Sequence, residues 1–206
     1  MYPDILITCG APEDGLMPYT LQSIAKYAMD CNIILDVGPK ININTLGPLL
    51  ELRWKTLNKS KNDWVIFFDS DDCFCNNIPS KNILEPNKYD VHLYPVFNLF
   101  SRDLIYPVRT KDQISDLSYI FGFHMAICKR QLAIDIFAKW RNTKVYRDDI
   151  CFLYGILKMT DKIKYHEDPI MVKMHSTMVK KNNAKIDYGE DTKRWQDRFN
   201  KLFIND

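Results

Sequence analysis

One stretch constrains the fold more than any other. Trp64-Val65-Ile66-Phe67-Phe68 runs without interruption into Asp69-Ser70-Asp71-Asp72. An unbroken run of β-branched and aromatic residues predicts a strand buried on both faces. In an open α/β sheet, ligands sit beyond the carboxyl ends of the strands, so this strand delivers its acids to where such folds bind substrates. Carboxylates this close repel one another unless something cationic sits among them. Oxygen-only ligands suit a hard ion such as Mg²⁺ or Mn²⁺, which also binds substrate phosphates. The bland alternative is a solvated acidic turn; the apolarity of the strand before it favours a metal.

The chain on either side fits around that strand. Asp4-Ile5-Leu6-Ile7-Thr8 reads as a short strand ending in the loop Cys9-Gly10-Ala11-Pro12. From Pro18, the apolar residues Leu21, Ile24, Ala25 and Ala28 fall at helical spacing. Asn32 to Asp36 is a second strand, and Leu46 to Leu57 a second helix carrying Arg53 and Lys55. A β-α-β-α-β order predicts a doubly wound, mostly parallel α/β sheet flanked by helices. Thr8, Gly10, Asp36 and the acidic cluster would then line one edge.

Past Phe74 the pattern loosens. Tyr89 to Val96 reads as one strand, with Ser101 to Val108 as an antiparallel excursion beside it. Phe121 to Cys128 is strand-like, and Lys129 to Trp140 an amphipathic helix with Leu132, Ile136 and Phe137 on one face. Asp148-Asp149 open a helix striped by Ile150, Leu153, Tyr154 and Leu157, where carboxylates suit the positive end of the dipole. Short strands at Lys162–Tyr165 and Pro169–Met174 follow, then a basic, polar stretch from Thr177 to Tyr188 and a closing helix over Asp191–Phe203. No repeat, low-complexity run or linker divides the chain. The expectation is one domain over 1–206, with a nucleotide-binding half at 1–75 and an acceptor-side half at 76–206.

Composition narrows the function classes. A chain of 206 residues can build one full-sized core. Its formal charge of +2 argues against gripping nucleic acid across a face. The six cysteines form no CxxC pair, and the start of the chain lacks a signal-peptide pattern, which points to reduced thiols in a cytoplasmic compartment. No apolar run approaches the roughly 20 residues that cross a bilayer.

Several residues now align with a family. The Asp-Ser-Asp-Asp strand tip resembles that of the nucleotide-diphosphosugar glycosyltransferases of the GT-A fold, family-2 type. Arg53, 16 residues before Asp69, matches that family's arginine on the preceding helix. Phe121-Gly122-Phe123-His124-Met125-Ala126-Ile127-Cys128-Lys129-Arg130 is similar to its acceptor-side segment of small-residue strand and basic helix start. Tyr146-Arg147-Asp148-Asp149 stands where the family has an acidic pair, although that pair usually begins with Glu. Met174-His175-Ser176-Thr177-Met178 resembles its late strand ending in His. Compact size and richness in Lys and Asn also resemble the small glycosyltransferase domains that large algal viruses use on their capsid protein, which for a viral enzyme would place it in the host-cell cytoplasm.

The resemblance implies transfer of a hexose, glucose-like or rhamnose-like, from a UDP-sugar to a hydroxyl of a glycan or glycoprotein, with Mn²⁺ or Mg²⁺ as cofactor. Asp71, His175 and Asp69 would hold the metal, with Asp69 also reaching the ribose and Asp72 supporting the loop or the donor sugar. Arg53, Lys180 and Lys181 would meet phosphate or ribose, while Thr8, Gly10 and Asp36 frame the nucleoside. Asp149 or Asp148 would serve as general base if the reaction inverts, or orient the acceptor if it retains. Each has an ordinary competitor: helix-start capping for the Asp pair, solvation for Lys180-Lys181, a helical pair with Glu51 for Arg53. His92 and His124 read as core histidines and His166 as a surface one. Two other classes stay open: a phosphohydrolase of the haloacid dehalogenase type, and a non-catalytic nucleotide-sugar-binding module.

Overall fold

The computed structural model describes residues 2–9, 17–38, 47–70, 72–99, 102–110, 126–140 and 148–173, with backbone alone at 47–49, 140 and 148–150. Its organising strand is β3 (Trp64–Asp69), buried on both sides along its apolar run. Parallel to it lie β1 (Asp4–Cys9) and, beyond that, β2 (Ile33–Val37). On the other side come β8 (Ala126–Lys129), antiparallel to β3, then β5 (Val91–Leu93) and β9 (Ile163–Tyr165), giving the order β2-β1-β3-β8-β5-β9.

Alternation along β1 and β3 feeds two cores. Leu6, Val65 and Phe67 face a layer built by α2 (Gly47–Lys59), α3 (Arg130–Trp140) and α4 (Asp148–Met159). There Phe67 stacks on Phe137 at 5.6 Å and meets Phe152 edge-on at 5.2 Å. Ile5, Ile7, Trp64, Ile66 and Phe68 face the opposite side, towards α1 (Met17–Tyr27) and the second sheet. This is the mixed α/β architecture, mostly parallel at its centre, that the element order predicts.

Three expectations need correction. Leu21 and Ala25 do not face the core; Thr20, Ser23 and Ile24 do. The strand expected over Tyr89–Val96 breaks at Pro95, which has no N–H for a ladder. Its first part is β5, and its second is β6 (Val96–Asn98) in a separate sheet. That second sheet also contains β4 (Asp72–Phe74), which the sequence pattern does not mark as a strand, together with β7 (Asp103–Ile105) and β10 (Met171–Lys173), in the order β4-β10-β6-β7. The antiparallel excursion itself is there: β7 pairs with β6. Finally, His166 is half-buried rather than surface, stacked on Tyr94 at 4.0 Å with its ring nearly parallel. The expected strand at 121–125 and helix at 191–203 lie outside the described residues. Among the described residues, no helix is long and apolar enough to cross a membrane.

Candidate active site

Parallel register places Thr8 of β1 level with Asp36 of β2 on one side and Asp69 of β3 on the other. Three strand tips therefore present these residues side by side, as the strand–helix order implies. Asp36 is tied back to α2, where Thr56 Oγ1 donates to its Oδ2 at 2.8 Å and Lys59 pairs with its Oδ1. Thr8 is buried, and its hydroxyl has no hydrogen-bond partner among the described residues.

The acidic tip is electrostatically organised. Arg53 projects from α2, is 2% exposed, and donates from Nη2 to Asp69 Oδ1 at 2.9 Å. Asp69 Oδ2 faces Lys173 Nζ at 3.6 Å, and the same ammonium lies 3.1 Å from Asp72 Oδ1. Asp72 Oδ2 in turn accepts the backbone N–H of Asp69 at 3.2 Å. Two buried cations thus alternate with two carboxylates, Asp72 buried and Asp69 partly so, which offsets the cost of holding such charges out of water. Register explains the arrangement, because Lys173 of β10 is the direct partner of Asp72 of β4.

Helix α1 holds the turn from behind. Thr20 Oγ1 donates to the Ser70 carbonyl at 2.8 Å, and Ser23 Oγ accepts the Phe74 N–H at 3.0 Å. These contacts explain the polar stripe on the inner face of α1: it satisfies backbone groups of the acidic turn. Sequence reasoning missed Lys173. Its only signal is a lysine inside an otherwise apolar short strand, Met171-Val172-Lys173.

The structure therefore brings Thr8, Asp36, Arg53, Asp69 and Asp72 to one end of the central sheet, joined by Lys173. Asp148 and Asp149 occupy the first two positions of α4, with only their backbone described. Gly10, Asp71, His175, Lys180 and Lys181 lie outside the described residues. Among the described residues, no group of three or more His, Cys, Asp or Glu side chains could hold a metal ion. The basic helix start goes elsewhere: Lys129 is level with Trp64, at the opposite end of β3 from Asp69.

No protein-family model matches the sequence, and no curated protein matches it. Solved structures do. S. aureus TarS 1-349 in complex with UDP-GlcNAc matches with a TM-score of 0.62 at 14% identity, over 100% of this chain and 67% of that one. A longer S. aureus TarS structure matches at 0.56 and 14% identity, where this chain spans only 44% of its length. A glycosyltransferase involved in the glycosylation of the major capsid of PBCV-1 matches at 0.55 and 13% identity, over 93% of this chain and 100% of that one. At such identities the likeness is one of fold, and that fold is the GT-A-like fold of glycosyltransferases.

Proposed function

We propose that the chain is a glycosyltransferase that takes a hexose, glucose-like or rhamnose-like, from a UDP-sugar and attaches it to a hydroxyl of a glycan or glycoprotein. Residues 1–206 would act as one catalytic domain. The observation that carries this reading is the coincidence of two things: a full-length likeness to a protein solved with UDP-GlcNAc, and a central strand whose acidic tip stands level with Thr8 and Asp36. Thr8, Gly10 and Asp36 would frame the nucleoside, with the buried Thr8 hydroxyl, unpartnered among the described residues, as one donor. Lys180 and Lys181 would meet the phosphates.

Both oxygens of Asp69 already face cations. On that ground Asp69 fits a supporting role beside the ribose better than direct coordination, and a divalent ion would be held by Asp71 and His175. What bound Mn²⁺ or Mg²⁺ supplies is stabilisation of the negative charge on the departing diphosphate. Arg53 would act by fixing the carboxylate of Asp69. Asp148 or Asp149, at the start of α4, would take the proton from the acceptor hydroxyl in an inverting reaction, or orient that hydroxyl in a retaining one. The likeness to glycosyltransferases favours this reading over a phosphohydrolase, and turnover separates it from a non-catalytic binding module.

The test is a panel of nucleotide sugars with Mn²⁺, scored by release of free nucleoside diphosphate. UDP-sugars should be cleaved, chelator should stop the reaction, and Asp71→Ala should slow it by about a hundredfold or more. Absence of turnover with every donor, with and without acceptor glycans, would overturn the proposal.

A further inference from the structure

Strand β2 forms one edge of the central sheet and pairs with β1 alone among the described residues. Two backbone bonds fix which of its groups face inwards. The Ile5 N–H donates to the Asn32 carbonyl at 2.8 Å, and the Gly38 N–H to the Cys9 carbonyl at 2.9 Å. Backbone groups alternate in direction along a strand, so Asn32, Ile34, Asp36 and Gly38 turn theirs towards β1. Ile33, Leu35 and Val37 turn theirs outwards, where they have no hydrogen-bond partner among the described residues.

The same three residues carry an exposed apolar stripe. Ile33, Leu35 and Val37 are 44%, 45% and 58% exposed, and they share the sheet face of their register partners Ile5, Ile7 and Cys9. Helix α1 covers that face through Ile24 and Ala28. Its exposed Leu21 and Ala25 lie on the flank turned away from Ser23, whose hydroxyl meets β4, so the apolar surface continues from strand to helix. Natural sheet edges are commonly guarded by lysine, proline or a bulge, and β2 has none of the three. Its one charge, Asp36, lies on the other face and is already held by Thr56 and Lys59.

We infer that this edge docks a second copy of the chain, β2 antiparallel to β2 about a two-fold axis at Leu35. That register sets Leu35 against Leu35, and Ile33 of each copy against Val37 of the other. Every one of these pairs joins outward-facing residues, so each exchanges two N–H···O=C bonds and the stripe keeps no unpaired backbone group. Centring the axis on Ile33 or Val37 instead would leave outward groups unpaired. On the opposite face Ile34 of one copy meets Asp36 of the other, so no like charges stand directly opposite. Backbone, side chains and charge are thus self-complementary in a single register, as an isologous interface requires. Three strand residues a side, with Leu21 and Ala25 beside them, cover less than the roughly 800 Å² per partner of a standard interface. The dimer is therefore a weak one, with a Kd of about 10 μM. The inference does not depend on glycosyl transfer, so it stands or falls apart from that reading.

The experiment follows the full chain by sedimentation velocity from about 1 to about 200 μM, with amide hydrogen exchange at both ends of that range. The expected result is a monomer–dimer equilibrium that stops at the dimer, with protection of the Ile33, Leu35 and Val37 amides rising with concentration. Leu35→Lys should raise the Kd about tenfold or more. Val37→Lys, at the exposed end of the strand, should do the same and keeps the test open if Leu35→Lys fails to fold. Ile83→Lys, at an apolar residue 62% exposed and outside β2, should leave the Kd unchanged. A chain that stays monomeric throughout would overturn the inference and leave the edge to another occupant, its own residues after Lys173 or an unlike protein. Assembly beyond the dimer, an unchanged Kd in the edge variants, or equal weakening by Ile83→Lys would overturn it too.

Discussion

Lys173 is the residue on which the acidic tip turns. Its ammonium is 8% exposed and stands between two carboxylates, so removing it takes the shared cation from a buried Asp72 and a partly buried Asp69. Breaking a buried ion pair from one side is far costlier than the pair's net worth, because the orphaned charge stays desolvated. Lys173→Met should therefore destabilise the fold by about 3 kcal/mol, read as a lower urea midpoint. Adding Asp72→Asn, which removes one of the stranded charges, should recover part of the loss. If the double variant is as unstable as the sum of the two singles, the carboxylates do not depend on Lys173 for their charge balance.

Between elements, a histidine pair joins β5 to the segment that leaves β9. His92 Nε2 lies 2.8 Å from the Leu84 carbonyl, which can only accept, so that nitrogen carries the proton. Its Nδ1 then accepts from His166 Nε2 at 2.9 Å. The contact cannot take a proton on both facing nitrogens, so at most one of the two rings can be charged. Burial, aided by His92 and Lys164, pushes His166 down from about 6.5 to about 4, and burial lowers His92 as well. Because the unfolded chain binds these protons more readily, stability is full above about pH 6.5 and is lost as the pH falls towards 4. His166→Gln should flatten thermal stability across that window; an unchanged acid slope would exclude the pair as its source. Legibility in the sequence followed element length. β1, β3 and the four helices of the described residues were readable because runs such as Trp64–Phe68 or the Leu132/Ile136/Phe137 stripe carry their own periodicity. Strands of three residues carry little: β10 and the β6–β7 excursion were read as short strands, but β4 and its pairing with β10 were not, and with that pairing went the place of Lys173 beside the acidic tip. Thr20 and Ser23 were overlooked for a different reason: they face inwards to satisfy a turn, which hydrophobic spacing does not record.

At the scale of the whole molecule, sheet topology sets what can be seen from solution. A ligand that binds only the folded strand tip must stabilise all of the fold that assembles it, in proportion to the logarithm of its saturation. UDP with Mn²⁺ at a hundredfold excess over its Kd should raise the thermal midpoint by roughly 5–10 °C, and chelator should cancel that rise. No movement of the midpoint, in a sample that unfolds cooperatively, would mean that UDP does not engage the folded chain. The register of β10 against β4 carries one more consequence. Asp69 and Asp72 are made early in synthesis, but the ammonium that stands between them arrives only with the strand at 171–173, about half the chain later. On the ribosome, the acidic end of the central sheet is therefore electrically completed late, and a nascent chain halted before Lys173 would hold Asp69 against Arg53 while leaving Asp72 without that cation.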